Sequence, residues 1–170
     1  MRIRLMEPKD LEAALTLYEG ARRFMASEGN AVQWAGGYPQ PELIEQDVAR
    51  RQAYVCEENE HIYAAFVLAL GDEPTYRVIE GAWKNDRPYG TLHRVASTGE
   101  RRGMADVIVR WAFEKTRNLR GDTHALNLPM QRAFERNGFE RCGVIWVADG
   151  TPRIAYQKTD NSGEAHICGG

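Results

Sequence analysis

The sequence is poor in cysteine, has no paired-cysteine motif and contains no long apolar run. Cys56, Cys142 and Cys168 form an odd, scattered set without C-x-x-C, which excludes a disulfide framework. The histidines His61, His93, His124 and His166 include no H-E-x-x-H. His166 and Cys168 come nearest to a metal pair, but on a Gly-rich tail, so no metal is expected. The longest apolar stretch, Ile62 to Leu70, is far too short to span a bilayer. Met1 to Glu7 alternates charged and apolar residues and lacks the apolar core of a signal peptide, so a cytoplasmic location and no membrane partner are expected. A basic surplus is missing as well. The 22 Lys and Arg against 24 Asp and Glu leave a formal charge of -2, so nucleic acid is not an expected partner. The remainder, 170 residues with 43% hydrophobic and 27% charged, is the composition of one ordered globular domain.

Within that domain the hydrophobic period switches repeatedly between two and 3.6, which predicts an α/β or α+β fold. Ile3 and Leu5 alternate with Arg2 and Arg4 as a first strand. Pro8 opens a helix with Leu11, Leu15 and Tyr18 on one face, running to about Met25, and Pro41 opens a second with Ile44 and Val48. Ala53 to Glu57 and Ile62 to Leu70 read as a hairpin, the second strand apolar on both faces and therefore central. A polar and aromatic insertion, Gly71 to Gly90, follows. It is long enough to be a functional loop. Thr91 to Ser97 is a strand, Met104 to Ala112 marks a third helix, and Leu119 to His124 is a short strand. Met130 to Phe134 marks a fourth helix, stopped by Gly138. Phe139 to Val147 and Arg153 to Gln157 close the sheet through an Asp149-Gly150 turn.

The chemically informative stretch is Ser97-Thr98-Gly99-Glu100-Arg101-Arg102-Gly103-Met104-Ala105, between a strand and a helix. Such a turn aims several unpaired N–H groups at one spot, and the helix dipole adds positive charge, so phosphate binds there. It is neither a Walker loop nor a dinucleotide fingerprint, because G-K-[ST] and G-x-G-x-x-G are both missing. A Gly-containing turn carrying two solvated arginines is the bland alternative.

The order of elements resembles the GCN5-related N-acetyltransferase (GNAT) superfamily, and the resemblance covers about residues 1–158, leaving 159–170 as a polar, Gly-rich tail. The family's pyrophosphate motif, Q/R-x-x-G-x-G/A, is matched by Glu100-Arg101-Arg102-Gly103-Met104-Ala105, and its Asn-then-G-F helix by Asn127, Met130, Phe134 and Asn137-Gly138-Phe139. The resemblance implies a mixed, mostly antiparallel sheet of about six or seven strands flanked by four helices, with two central strands splayed apart. It also implies acetyl-CoA as co-substrate, an acetyltransferase activity and a small-molecule amine as acceptor. Val95, Ala96 and Ser97 would then bind pantetheine through the backbone. Arg101, Arg102, Gly103, Met104 and Ala105 would hold the pyrophosphate, and Asn127 would contact the pantetheine arm. Lys115, Arg132 and Arg136 are basic candidates for the ribose phosphate, or a solvated helix face. Family members often dimerise, which leaves a homodimer open.

Two positions depart from the pattern. Glu100 stands where Gln or Arg is usual, and a carboxylate there repels pyrophosphate. Phe134 stands where many members have the Tyr that protonates the leaving thiolate. Both features favour the alternative reading, a non-catalytic acyl-CoA-binding sensor or partner module. Acetylation of protein N-termini or lysines is a further alternative, but the bulky loop aromatics argue against an open groove.

Amide formation from an amine and a thioester needs a base for the amine proton. His93 is the first candidate, by strand alternation on the side of Val95 and Ser97. A histidine bonded within the sheet is the alternative. His124, with Asp122 as orienting carboxylate, and Glu80 in the insertion are the others. Gln33, Trp34 and Tyr38 in the first inter-helix loop, and Trp83 in the insertion, are expected to line the acceptor pocket. Otherwise they pin the loops to the sheet.

Overall fold

The computed structural model describes residues 1–160. In chain order the elements are β1 (Arg2–Leu5), α1 (Leu11–Ser27), α2 (Pro41–Ala49), β2 (Ala53–Glu58), β3 (His61–Leu70), β4 (Glu80–Gly81), β5 (Gly90–Ser97), α3 (Met104–Thr116), β6 (Asn118–Thr123), α4 (Leu128–Arg136), β7 (Glu140–Trp146) and β8 (Pro152–Thr159). The strands form one eight-stranded sheet in the order β1-β2-β3-β5-β6-β8-β7-β4. The added strand relative to the expected six or seven is β4. It is a two-residue pairing of Glu80 and Gly81 with Val144 and Gly143, inside the segment expected to be loop. A 3₁₀ turn, Pro74–Tyr76, orders the same insertion. β8 runs to Thr159, one residue past the expected domain boundary. The expected tail from 161 onward, with His166 and Cys168, lies outside the described residues.

The prolines open helices as their fixed φ allows, with Pro41 in the first turn of α2 and Pro129 in that of α4. Gly138, at φ +83, lets the chain leave α4, so that the Phe139 N–H donates back to the Phe134 carbonyl at 3.0 Å. The sheet is covered on both faces. Ala64, Phe66, Leu68 and Leu92 pack with Ile108 and Ala112 of α3 and Phe134 of α4. Val55, Ala65, Val67 and Ala96 pack with Leu17 and Tyr18 of α1 and Ile44 of α2. β3 therefore buries both of its faces, as its unbroken apolar run requires.

Two irregularities in β5 position the site. All neighbouring pairs are antiparallel except β5 with β6, whose parallel ladder holds only at Gly90 with Leu119 and Thr91 with Arg120. Beyond Thr91 and Arg120 the strands part. The second irregularity is a bulge. Val67 pairs with His93 and Ala65 with Ala96, so Arg94 and Val95 together face Phe66. Arg94 takes φ +50, which costs an L-residue about 1–2 kcal/mol. Buried bonds hold it there. Its guanidinium reaches both carboxylate oxygens of Asp47 at 2.9 Å, and its carbonyl accepts from the Tyr18 hydroxyl at 2.9 Å.

The bulge overturns the expected strand alternation. Val95 packs into the layer under α3 and α4, whereas the side chain of His93 points to the opposite face, toward Glu73 and Tyr76. His93 does not share a side with Val95.

Candidate active site

The parting strands open onto a groove of about 1650 Å³, lined by Val95, Ala96 and Ser97, the loop 98–103, the start of α3, Asn127 and Met130 of the α4 turn, and Met25 of α1. On its β6 side the backbone of β5 beyond Thr91 has no partner strand among the described residues. An extended chain can pair there as an added strand would.

At the end of this edge, Gly103 adopts φ +75 and caps α3. The first intrahelical bond is from the Val107 N–H to the Gly103 carbonyl at 3.1 Å, so the N–H groups of Met104, Ala105 and Asp106 precede the helical ladder. This geometry suits a phosphate. The loop's charged side chains are mostly committed elsewhere. Arg101 pairs with Glu58 and lies over the Tyr63 ring, 4.2 Å from its centroid. The Glu100 carboxylate pairs with His61 at 3.0 Å, on the side of β3. Arg102 and Arg132 line the groove as exposed cations. Arg136, also in the groove, is held by Asp106 at 2.8 Å. Lys115 sits in the last turn of α3, away from the loop, over the Trp111 ring.

Where the strands part, four side chains of the opposite face form two pairs. His93 Nε2 lies 3.0 Å from Glu73 Oε2. Glu73 caps the 3₁₀ turn, accepting from the Thr75 N–H and hydroxyl. The bond to His93 holds its carboxyl down at about 2. Next to them the Tyr76 hydroxyl donates to Asp122 Oδ2 at 2.6 Å. Burial pushes the Asp122 carboxyl up, and Tyr76, fully enclosed, is pushed up by burial and by Asp122. Sequence reasoning did not single out Glu73. The nearest signal was Glu73-Pro74-Thr75, a carboxylate ahead of a proline that can cap a turn.

The structure does not join Asp122 to His124. The His124 Nδ1 instead accepts from the Leu126 N–H at 3.0 Å, closing the turn before α4. Burial and then Arg153 lower the pKa of His124, which favours the neutral ring that this acceptor role requires. Glu80 lies in β4 at the far edge of the sheet, beyond β8 and β7, and is not brought to His93.

The expected acceptor residues lie close by, mostly bonded to the protein. Gln33 Oε1 accepts from Asn127 Nδ2 at 3.0 Å and from the Thr123 hydroxyl and His124 N–H at 3.3 Å, which ties the first inter-helix loop across the open end of the gap. Trp34 packs edge-on against Tyr18, and the Tyr38 hydroxyl accepts from Arg94 at 2.9 Å. The Trp83 indole donates to the Tyr76 carbonyl at 2.9 Å and covers the Arg120 guanidinium, anchoring the insertion. Asn127 caps α4, accepting from the Met130 N–H at 3.1 Å. Phe134 is buried, stacked on Tyr156 and tilted against Phe139.

Among the described residues no group of His, Cys, Asp and Glu could hold a metal ion, and no helix is long and apolar enough to cross a membrane. No family model and no curated protein sequence matches the chain. Solved structures do. A GNAT-family acetyltransferase from Streptococcus agalactiae is 33% identical with a TM-score of 0.86, the match covering 94% of this chain and 95% of the other. One from Listeria monocytogenes is 18% identical with a TM-score of 0.70, covering 92% and 93%. Aminoglycoside acetyltransferase AAC(6')-Ib, in complex with coenzyme A and kanamycin, is 21% identical with a TM-score of 0.62, covering 94% and 95%.

Proposed function

The chain belongs to the GNAT family of acetyltransferases, and on that premise we propose that it transfers the acetyl group of acetyl-CoA to the amine of a small molecule. The observation that carries this reading is the gap between β5 and β6, whose groove joins an unpaired strand edge to a phosphate-suited helix start, with the His93–Glu73 pair on the opposite face of β5 where the strands begin to part. Val95, Ala96 and Ser97 would pair with the pantetheine amides. The N–H groups of Arg101, Arg102, Gly103, Met104 and Ala105 would surround the pyrophosphate, with Arg102 as the unpaired cation. Asn127 lines the same groove from the α4 side.

In the reaction the amine nitrogen bonds to the thioester carbon, the C–S bond breaks, and the sulfur leaves with the electron pair as CoA thiolate. His93 takes the proton the amine must lose, and Glu73, ionised through the working range, stabilises the imidazolium that forms. A backbone N–H of β5 near Val95 can donate to the developing oxyanion. Phe134 supplies no proton to the thiolate, which leaves as a thiol-range base. The aromatic loops around Trp34 and Tyr38, and the kanamycin complex of a similarly folded acetyltransferase, support a small acceptor over a protein tail.

The missing hydroxyl at Phe134 favours one second reading, an acyl-CoA sensor of the same fold. A thermal-melt titration with acetyl-CoA, with ATP as control, followed by single-turnover thiol release across an amine panel, separates the two. A saturable shift of several degrees with acetyl-CoA and none with ATP is expected. Release of CoA then identifies an enzyme, and binding with no release for any amine identifies a sensor.

A further inference from the structure

We propose that the acceptor carries a carboxylate beside its amine and that Arg153 binds that carboxylate. This rests on the acetyl-transfer reading above and names the acceptor's class. Arg153 precedes Ile154, the partner of Thr123 at the last β6–β8 pair. By strand alternation it shares a face with Ala155, which packs against Tyr76. Its guanidinium therefore lies on the face where His93, Asp122 and Tyr76 meet, beyond the end of paired β6.

Arg153 is only 7% exposed. Its Nη1 donates to the Thr151 hydroxyl at 2.9 Å and the Pro152 carbonyl at 2.8 Å, both within its own hairpin. No carboxylate among the described residues lies within ion-pair distance. Asp122, Asp149 and His124 all feel its charge from farther away. Asp149 is committed to the N–H and hydroxyl of Thr151, and Asp122 to Tyr76. Arg120, the other arginine buried this deeply, is enclosed between the Trp83 and Tyr89 rings. Arg153 has neither an anion nor an aromatic sandwich. A desolvated cation in that state is costly, and a ligand carboxylate offsets the cost through a charge-assisted bond.

The strand carrying Arg153 is separated from that of His93 by β6, roughly 10 Å at the paired end. Asp122 feels the charge of both His93 and Arg153, so the two side chains flank it on this face, and an amino acid bound between them would set its amine toward His93 and its carboxylate toward Arg153. A dibasic acceptor is the competing class, since Glu73 and Asp122 are near. Both carboxyls already have partners in His93 and Tyr76, and burial favours the neutral form of Asp122.

The test is initial-rate CoA release with matched triplets: an amino acid, its carboxamide and its decarboxylated amine, across several side chains. The wild-type enzyme is expected to prefer the carboxylate form at least about tenfold in kcat/KM. Arg153→Gln is expected to erase that preference through KM, leaving the carboxamide rate and the acetyl-CoA Kd unchanged, and Arg153→Lys to recover part of it. Equal or faster turnover of the carboxamide or amine by wild type overturns the assignment without any variant. So does an Arg153→Gln loss shared equally by all three acceptors. Absence of CoA release from every acceptor, with acetyl-CoA bound, sinks the transfer reading and this assignment with it.

Discussion

The carboxylate of Glu73 reaches back across 20 residues to hold Nε2 of His93 at 3.0 Å, at the point where β5 and β6 part. The pair joins a strand residue to a loop residue, and its expected work is to fix the imidazole and stabilise it when charged. Glu73→Gln keeps the size and one hydrogen bond but removes the charge. Its kcat is expected to fall about ten- to a hundredfold, with the acetyl-CoA Kd unchanged. Stopped-flow thiol release and calorimetric binding check the two halves. An unchanged kcat would remove the pair from proton transfer.

The same contact makes stability depend on pH. The Glu73 carboxyl is held at about 2 in the folded chain against an ordinary 4.5. A depressed carboxyl contributes stability that is fully present above its unfolded pKa and is lost as pH falls through the folded one. The gap between wild type and Glu73→Gln is therefore expected to be on the order of 2–3 kcal/mol near pH 5, and to close between about pH 4.5 and 2. Urea midpoints over that range measure it. A gap constant with pH would mean that packing, not charge, sets the difference.

Glu100 is a carboxylate beside a phosphate-suited loop, tethered to His61 at 3.0 Å. Replacing it with Gln removes a repulsion that acts mostly through solvent, so the gain is modest. Acetyl-CoA is expected to bind about two- to fivefold more tightly, with the advantage shrinking as salt is raised. An unaltered Kd at low salt would place the pyrophosphate outside the reach of Glu100.

Much of this was legible in the sequence because it is encoded locally. The helix start at Pro41, the stop at Gly138, the two-faced apolar run of β3 and the strand-to-helix turn over 98–103 all depend on neighbours a few residues away. What escaped depends on distant pairing. The bulge at Arg94 is fixed by Asp47, Tyr38 and Tyr18 in other elements, and nothing in the strand's own alternation signals it. That single insertion moved His93 to the other face. β4 exists because Gly81 and Gly143 let two backbones approach where a Cβ at either would strike the opposite strand. Glu73 and Asp122 gained their partners through an insertion whose course is set by Trp83 and Tyr89 closing over Arg120.

Phe134 offers the sharpest test of how the chemistry proceeds without the family's usual tyrosine. Its ring tip faces Gly121 in β6 so closely that a Cβ added to that glycine would lie 2.8 Å from Cζ. A hydroxyl on Cζ would have to occupy the same space. Phe134→Tyr is therefore expected to cost about 1–3 kcal/mol through overpacking, a drop of several degrees in Tm. It should leave kcat no higher than wild type, since the new hydroxyl meets strand backbone and not the gap. Melting curves and thiol-release rates on the same preparation decide it. A stable variant with raised kcat would mean that β6 yields, and that thiolate protonation limits the wild-type enzyme.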